Sequence, residues 1–202
     1  MFAEERRAAI LAKIKSCSPI YVTDLVQEFG VSEATVRRDL AVLERRNLIK
    51  RTHGGAIPPN YGMEPTFREK EIRHLDLKAM IGKLAASLVK DGETILLDAG
   101  TTTLQIAVNL QGRNITVATT CIDVANVFLD DPTVEVWMLG GILRKGPRSL
   151  VGFLTNQALN SLRFDKVFLA ANAVDVNFGV TTPNMVEAET KRNMLKAGKE
   201  KI

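Results

Sequence analysis

Apolar residues recur with helical spacing in three segments near the start of the chain, and each segment predicts a short amphipathic helix. The apolar positions, segment by segment, are Ala8, Ile10, Leu11 and Ile14; Val22, Leu25, Val26 and Phe29; and Val36, Leu40 and Leu43. Thr23 is the predicted cap of the second helix. Gly30 permits a sharp turn because glycine tolerates positive φ, and Ser32 is a good N-cap for the third helix.

The third predicted helix carries a polar face opposite its apolar stripe. Arg38 and Arg45 lie on that face, with Thr35 and Arg37 beside it. A short helix with an apolar back and a Thr/Arg front at its amino end fits the major groove of DNA. We therefore predict that Ser32, Thr35, Arg37 and Arg38 lie at a DNA interface.

Residues 48–57 contain two β-like runs that flank Gly54-Gly55, which is a hairpin signal. Arg51 and His53 on this hairpin are predicted to contact the DNA backbone or the minor groove. Three helices followed by a basic hairpin make a winged helix-turn-helix, which we predict for residues 1–57. The alternative is an ordinary small helical domain with a solvated basic face.

The next segment breaks regular structure. It contains Pro58, Pro59 and Pro65, so residues 58–66 are predicted to be a linker. A helical pattern then runs from Phe67 to Val89 and predicts one long helix. Its apolar stripe consists of Ile72, Leu75, Met80, Ile81, Leu84 and Leu88.

From residue 94 onward, apolar strand-like runs alternate with helix-like segments. The predicted strands are 94–98, 115–119, 134–139 and 166–171, and the predicted helices are 102–110, 122–129, 153–162 and 187–197. This alternation indicates a parallel sheet covered on both faces. The predicted fold class is therefore α/β: a winged helix-turn-helix followed by a doubly wound parallel-sheet domain over residues 67–202.

Ligands of such sheets bind at the carboxyl ends of the strands, so residues that follow each strand are candidate ligand-binding residues. After the first strand, Asp98, Gly100, Thr101 and Thr102 open a helix whose free amides and hydroxyls suit a phosphate. The threonines could instead be only caps and turn formers. Thr119 ends the second strand and is a further candidate.

The later strand ends carry a glycine and charged side chains. Gly141 and Arg144 follow the third strand, where a basic side chain could neutralise a phosphate or simply be solvated. Asn172 and Asp175 follow the fourth strand, where they could bond sugar hydroxyls or serve a turn. Glu187 and Lys191 complete the candidate set; their i, i+4 spacing also suits a surface helix pair.

Positive charge is concentrated where DNA contact is predicted. Residues 1–57 carry 10 Lys/Arg and 7 Asp/Glu, and residues 34–51 alone carry six basic and two acidic side chains. The spacing of Cys17 and Cys121 suggests neither a disulfide framework nor a zinc site, and no metal or other cofactor is predicted. No apolar run approaches membrane-spanning length and the amino terminus does not fit a signal peptide, so we expect a cytoplasmic protein.

Two series of residues carry a family resemblance. The first series is Arg6–Leu11, Val31-Ser32, Thr35–Leu40, Leu43-Glu44, Arg51 and His53–Ala56; the second is Asp98, Gly100–Thr102, Thr119, Gly140-Gly141, Gly152, Asp175, Gly179, Glu187 and Lys191-Arg192. Both resemble the DeoR family of bacterial transcription regulators. The resemblance implies a homo-oligomer whose sensor domain, related in fold to sugar-phosphate isomerases, binds a phosphorylated sugar or related metabolite and thereby changes DNA affinity.

The chain departs from the family pattern at several positions. Asn47 replaces a common Gly, and because Asn is the next-best residue at a left-handed helix cap, the turn is expected to survive. Thr120 replaces Asn, and Ala170 and Ala173 replace Gly near the ligand, so added methyl groups are expected to narrow the pocket. The family normally continues with a further strand and an Asp/Ser/Lys motif that lines the effector site.

The chain therefore resembles a truncated family member. It ends soon after the predicted helix 187–197, where another strand is expected to begin. We expect a sheet without that strand to expose apolar surface and an unpaired edge.

The predicted function is sequence-specific regulation of transcription, most simply repression of a carbohydrate operon, on double-stranded operator DNA and under control of a phosphorylated sugar. Two alternatives remain open. One is an active sugar-phosphate isomerase fused to a DNA-binding domain, with Asp98, Asp175 or Glu187 as acid or base. The other is a DNA-binding protein whose second domain only dimerises. Of these classes, we expect a regulator rather than an enzyme.

Overall fold

The computed structural model describes residues 2–15, 19–59, 61–62 and 64–202. The chain divides into two compact units, Met1–Met63 and Glu64–Ile202. Cys17 lies outside the described residues, so its isolation stays a prediction.

The first unit is a winged helix-turn-helix, as predicted. Its elements are α1 (Ala3–Lys15), β1 (Ile20–Tyr21), α2 (Val22–Phe29), α3 (Glu33–Arg45), β2 (Lys50–Arg51) and β3 (Gly55–Ile57). The three short strands form an antiparallel sheet in the order β1-β3-β2, and the β2–β3 hairpin is the wing.

The turn between α2 and α3 forms as the sequence predicts. Gly30 has φ 62°, and its N–H donates to the Val26 carbonyl at 3.0 Å, which ends α2. The Ser32 hydroxyl accepts from the Thr35 N–H at 3.3 Å and starts α3. The conformation of the turn and the cap together fix the angle at which α3 leaves α2.

The two other predicted helix ends have different outcomes. Asn47 takes the left-handed conformation with φ 56°, and its N–H donates to the Glu44 carbonyl at 2.8 Å, so the turn after α3 survives the replacement of glycine. The prediction for Thr23 was wrong. Helix α2 begins at Val22 after Tyr21, whose side chain makes no capping hydrogen bond, and Thr23 lies within the first turn.

Helix α3 is fixed by apolar burial on one side and by ion pairs to α1 on another. The fully buried residues of this unit are Ile10, Ile14, Val22, Leu25, Val36, Leu40, Leu43, Ile49 and Ala56. Beside them, the Asp39 carboxylate is only 2% exposed and bonds the Nε of Arg6 at 2.6 Å and the Nε of Arg7 at 2.8 Å. These two contacts set the rotation of α3 and therefore the face that it presents outward.

The second unit is a doubly wound α/β domain, which confirms the predicted fold class. Its helices are α4 (Phe67–Glu71), α5 (Leu75–Ser87), α6 (Thr101–Val108), α7 (Ile122–Asn126), α8 (Phe153–Ser161) and α9 (Met185–Ala197). Its main strands are β4 (Thr94–Leu97), β5 (Ile115–Thr119), β6 (Val134–Met138), β9 (Phe164–Phe168) and β12 (Gly198–Lys201).

The five main strands are parallel and lie in the order β12-β9-β4-β5-β6. The chain winds outward from β4 through β5 to β6, then returns to β9 on the other side of β4. The point between β4 and β9 is therefore the topological switch point of the sheet. Separate buried clusters cover the two faces, one beneath α5, α6 and α7 and the other beneath α8 and α9.

The predicted long helix from Phe67 to Val89 is in fact two helices. His74 takes a left-handed conformation with φ 51° between α4 and α5 and interrupts the helix. The stripe of large apolar residues that we expected to face the core is exposed, for example Met80 at 69%. Helix α5 instead buries small residues, since Gly82, Ala85 and Ala86 allow it to pack closely on α6. The stripe of small residues is therefore the one that faces the core, and the stripe of large apolar residues faces away from it.

We expected the sheet to lack a strand after helix α9, and this prediction was wrong, because the strand is present. Residues Gly198–Lys201 form β12, which pairs in parallel with β9 and lies at the edge of the sheet. Lys199, Glu200 and Lys201 are exposed on it, and charged side chains of this kind discourage pairing with another strand. Two unpredicted hairpins also project from strand ends: β7 (Ile142–Arg144) with β8 (Ser149–Val151), and β10 (Ala173–Asp175) with β11 (Gly179–Thr181).

The substitution Asp39→Asn is expected to loosen α3, because it leaves Arg6 buried without its charged partner. Breaking a buried ion pair from one side costs about 3–5 kcal/mol. Hydrogen exchange of the α3 amides measures the lost protection. Glu33→Gln removes an exposed partner of Arg37 on the same helix and should cost less than about 1 kcal/mol. Equal protection in the two variants would contradict this account of α3.

Candidate DNA interface and ligand cavity

The outward face of α3 offers one uncommitted arginine. Arg38 is exposed, and within the described residues no hydrogen bond or ion pair engages it. The Arg37 guanidinium bonds Glu33 at 2.6 Å, and the Thr35 hydroxyl lies 2.9 Å from that of Ser32. Ser32 and Thr35 therefore form the start of the helix. Arg38 is the predicted DNA contact whose guanidinium is free of bonds to other described residues.

The Glu44 carboxylate ties the wing to α3. Glu44 accepts from the Arg51 backbone N–H at 2.9 Å and from its Nε at 2.6 Å. These bonds hold the pKa of Glu44 below its ordinary value. Arg51 thus positions the wing, whereas His53 is exposed near the wing tip and its side chain is open to a partner.

A cavity of about 310 Å³ lies at the switch point between β4 and β9. Four predicted ligand-binding residues line it, namely Gly100, Thr101, Thr102 and Lys191. Helix α6 starts here, and its first-turn amides at Thr101 and Thr102 have no hydrogen-bond partner among the described residues. Unpaired amides and the positive end of a helix dipole favour an anion.

Asp98 supports the wall of this cavity from behind. Its side chain is buried, its Oδ1 accepts from the Ala99 N–H at 2.7 Å, and its Oδ2 accepts from the Ala170 N–H at 3.0 Å. The same Oδ2 forms an ion pair with the Lys191 ammonium. Asp98 therefore joins the end of β4, the loop after β9 and helix α9.

Lys191 lies between two carboxylates. Besides Asp98, it has Glu187 at 3.5 Å on the preceding turn of α9, and its Nζ donates to the Ala170 carbonyl at 2.9 Å. Burial alone would lower the pKa of Lys191, but the two carboxylates outweigh it and hold this pKa above its ordinary value. The group is a fixed positive charge at the cavity wall.

Ala170 lines the cavity, so its methyl group lies where the replacement of glycine is expected to narrow the pocket. A Cβ added at Gly100 would lie 2.7 Å from the Ala170 Cβ, so the two backbones approach as closely as this pair of residues allows. Ala173 lies on the exposed β10–β11 hairpin, so its methyl group does not line the cavity.

Arg144 and Glu187 do not line the cavity, but a run of ion pairs connects them to it. Arg144 contacts Glu187 through Nη1 and Glu64 through Nη2, the latter at 2.6 Å. Glu187 is buried and also faces Lys191. Opposite charges therefore alternate from Asp98 outward to Glu64.

Two further polar residues line the cavity, Lys70 on α4 and Asn172 after β9, and the Lys70 Nζ lies 3.2 Å from the Asn172 Oδ1. Asn172 was expected either to bond sugar hydroxyls or to serve a turn. Sequence reasoning missed Lys70, because it belongs to no recognisable motif and was placed on a helix that the sequence did not connect with the sheet.

Three further predicted ligand residues also lie away from the cavity lining. The Thr119 hydroxyl donates to the Leu97 carbonyl at 2.7 Å and is wholly buried between strands. Gly141 packs closely against the Thr155 hydroxyl. Asp175 accepts from the N–H groups of residues 177 and 178 and so closes the tip of a hairpin. All three serve local structure.

Nothing in the described residues suggests a metal centre: no group of three or more His, Cys, Asp or Glu side chains could hold an ion there. The described helices also include none that is both long and apolar enough to cross a membrane.

The substitution Gly100→Ala is expected to distort the start of α6, because its Cβ would collide with Ala170. Adding Ala170→Gly should restore most of the lost stability. Thermal unfolding of wild type, both single variants and the double variant measures this coupling, which should exceed about 1 kcal/mol for side chains in contact. Simple additivity of the two single effects would show that the two backbones are not in close contact.

Comparison with known proteins agrees with this two-part structure. A family model described as a DeoR-like helix-turn-helix domain matches residues 6–60, and one described as a DeoR C terminal sensor domain matches residues 73–202. The second match alone covers more than half of the chain.

Several curated relatives resemble the chain over most of its length. The HTH-type transcriptional regulator GlpR of Haloferax volcanii is 36% identical over a matched length of 201 positions, gaps included, and the match covers 96% of this chain and 77% of that protein. A putative aga operon transcriptional repressor of Escherichia coli O157:H7 is 35% identical over 94% of this chain and 72% of that protein. A lactose phosphotransferase system repressor of Staphylococcus epidermidis is 33% identical over 98% of this chain and 80% of that protein.

A solved structure of ribose 5-phosphate isomerase A from Methanocaldococcus jannaschii is also similar, with a TM-score of 0.44 and 17% identity over 63% of this chain and 50% of that one. A likeness of that size carries no argument about function. The family matches and the relatives above 30% identity do, and they show that the chain belongs to the DeoR family of helix-turn-helix transcription regulators.

Proposed function

We propose that this protein represses a carbohydrate operon by binding operator DNA through α3 and the wing, and that a phosphorylated sugar bound at the β4–β9 switch point changes its affinity for DNA. The observation that carries the proposal is a cationic cavity at the amino end of α6, in the same chain as a winged helix-turn-helix.

The chemistry of the cavity favours a phosphate monoester. Among the described residues that line it, the charged side chains are Lys70 and Lys191, and no Asp or Glu side chain is present. The α6 amides can bind phosphate oxygens, and the hydroxyls of Thr101 and Thr102 lie beside them. Asn172 offers an amide for sugar hydroxyls. The volume of about 310 Å³ suits a small metabolite.

A single α3 reads few base pairs, so we expect two copies of the chain to bind two half-sites. The operator lies in the cytoplasm, and there the protein is expected to work. Relatives named as repressors of aga and lactose phosphotransferase genes support a carbohydrate operon as the target.

The isomerase alternative has little support in the geometry. A catalytic acid or base must be able to reach substrate. Asp98 is bound by two amides and Lys191, Glu187 lies between Arg144 and Lys191, and Asp175 accepts two turn amides. All three candidate carboxylates are thus engaged in holding the structure, and we expect no aldose–ketose interconversion.

The substitution Arg38→Ala is expected to weaken specific operator binding by about tenfold to a hundredfold, since it removes a base-reading or phosphate-gripping group. Fluorescence anisotropy at fixed salt on DNA from upstream of the gene and its neighbours measures the change. Lys199→Ala removes one positive charge from the second unit and is the matched control. Unchanged operator affinity in Arg38→Ala, with a normal circular dichroism spectrum, would contradict the assignment of α3.

A panel of sugar phosphates added to the protein–DNA complex tests the sensing half of the proposal. One member is expected to shift the DNA affinity at least about fivefold, the lower end of ordinary allosteric coupling. The corresponding unphosphorylated sugars should have no effect. DNA binding that no phosphorylated sugar alters would leave the second unit as a dimerisation module only.

A further inference from the structure

Glu64 is the first residue of the second unit, and it lies within the predicted linker, residues 58–66. Its side chain is only 14% exposed. Its Oε2 bonds the Nη2 of Arg144 at 2.6 Å, while its Oε1 lies 3.3 Å from the Lys70 Nζ and 3.2 Å from the Asn172 Nδ2. A carboxylate at the domain boundary is therefore held by three groups.

Two of those three groups belong to the cavity. Lys70 and Asn172 line it, together with the amino end of α6. Lys78 on α5 adds to the positive charge nearby, since its Nζ donates to the Lys70 carbonyl. Burial is the largest cause of the lowered pKa of Lys78. The neighbouring cations Arg73 and Lys70 also lower this pKa, and Glu71 opposes them.

An anion in the cavity and the Glu64 carboxylate would compete for the same ammonium group. A bound phosphate carries more negative charge than a carboxylate and presents several acceptor oxygens to Lys70. As Lys70 turns to the phosphate, Glu64 loses one of its two cationic partners. Glu64 then keeps the Asn172 amide and one cation, Arg144, whose Nη2 it contacts while the Nη1 of the same guanidinium contacts Glu187.

The loop that holds Glu64 also holds the segment after it. The Phe67 N–H donates to the Gly146 carbonyl at 2.9 Å, and the Arg148 guanidinium lies 5.3 Å from the centre of the Phe67 ring. Arg144, Gly146 and Arg148 all lie on or between β7 and β8. The β7–β8 hairpin therefore holds Glu64 and Phe67 at the start of the second unit. We call these contacts the clasp, and Glu64 is the first residue in it.

We propose that Lys70 is a ligand for the phosphate of the effector and that Glu64 is the internal anion that phosphate displaces, so that effector binding loosens the clasp at the linker. This inference rests on the proposed function of the cavity. It assigns roles to two residues outside the strand-end motifs, and it gives a physical route from the cavity to the linker.

The substitution Glu64→Gln tests the competition, because it removes the charge and keeps a hydrogen bond to Arg144. The probe is inorganic phosphate, titrated calorimetrically into the full chain against chloride at equal ionic strength. Glu64→Gln should bind phosphate about threefold to tenfold more tightly than wild type, the effect of removing one competing charge. Lys70→Gln should bind it about tenfold more weakly.

Glu93→Gln is the matched control. It removes a carboxylate from another ion pair of the same unit, with Lys166, at the amino end of β4, whereas the cavity lies at the carboxyl end. Its phosphate affinity should equal that of wild type. An equal gain in Glu93→Gln and Glu64→Gln would mean that overall charge, and not competition for Lys70, sets the affinity, and would overturn the inference.

Hydrogen exchange of the peptide that covers residues 64–71 reports on the clasp. In wild type, phosphate should accelerate its exchange, and in Glu64→Gln exchange should be fast with or without phosphate. If wild type binds phosphate but Glu64→Gln binds it no better and the peptide does not respond, this inference fails and the proposed function stands. If phosphate binds neither protein, the proposed phosphate site fails, and the inference with it.

Discussion

The Asp98 carboxylate is buried at the switch point between β4 and β9, where the order of the strands reverses. Two backbone amides and the Lys191 ammonium surround it. Removing one member of such a set would leave a buried charge without its partner, so the end of β4, the loop after β9 and helix α9 are held in one arrangement. The shape of the cavity follows from that arrangement, because Gly100, Ala170 and Lys191 all border it.

The same buried charge begins a sequence of ion pairs that leads away from the cavity. Lys191 faces Glu187, which contacts Arg144, which in turn contacts Glu64 at the start of the unit. Each charged side chain in this sequence keeps its ion pairs only while the neighbouring side chains stay in position. A charged ligand that engages one of these cations therefore disturbs the others, which is how a small metabolite could act at a distance through side-chain electrostatics.

Much of this architecture was readable from the sequence, and the limits have physical causes. The turn at Gly30, the cap at Ser32 and the strands β4, β5, β6 and β9 follow from local chemistry and apolar spacing. The break at His74 did not, because two apolar stripes with helical spacing overlap in this segment and only packing against α6 chooses between them. Lys70 and Glu64 were missed because their roles arise from contacts between segments far apart in the chain.

The most direct test of the account is a two-dimensional amide spectrum of the ¹⁵N-labelled chain during titration with a sugar phosphate that alters DNA binding. The account predicts that the amide signals of Gly100, Thr101 and Thr102 shift most, together with those of residues around Lys70. Shifts confined to the first unit, or to surfaces away from the β4–β9 switch point, would contradict the claim that this cavity binds the effector.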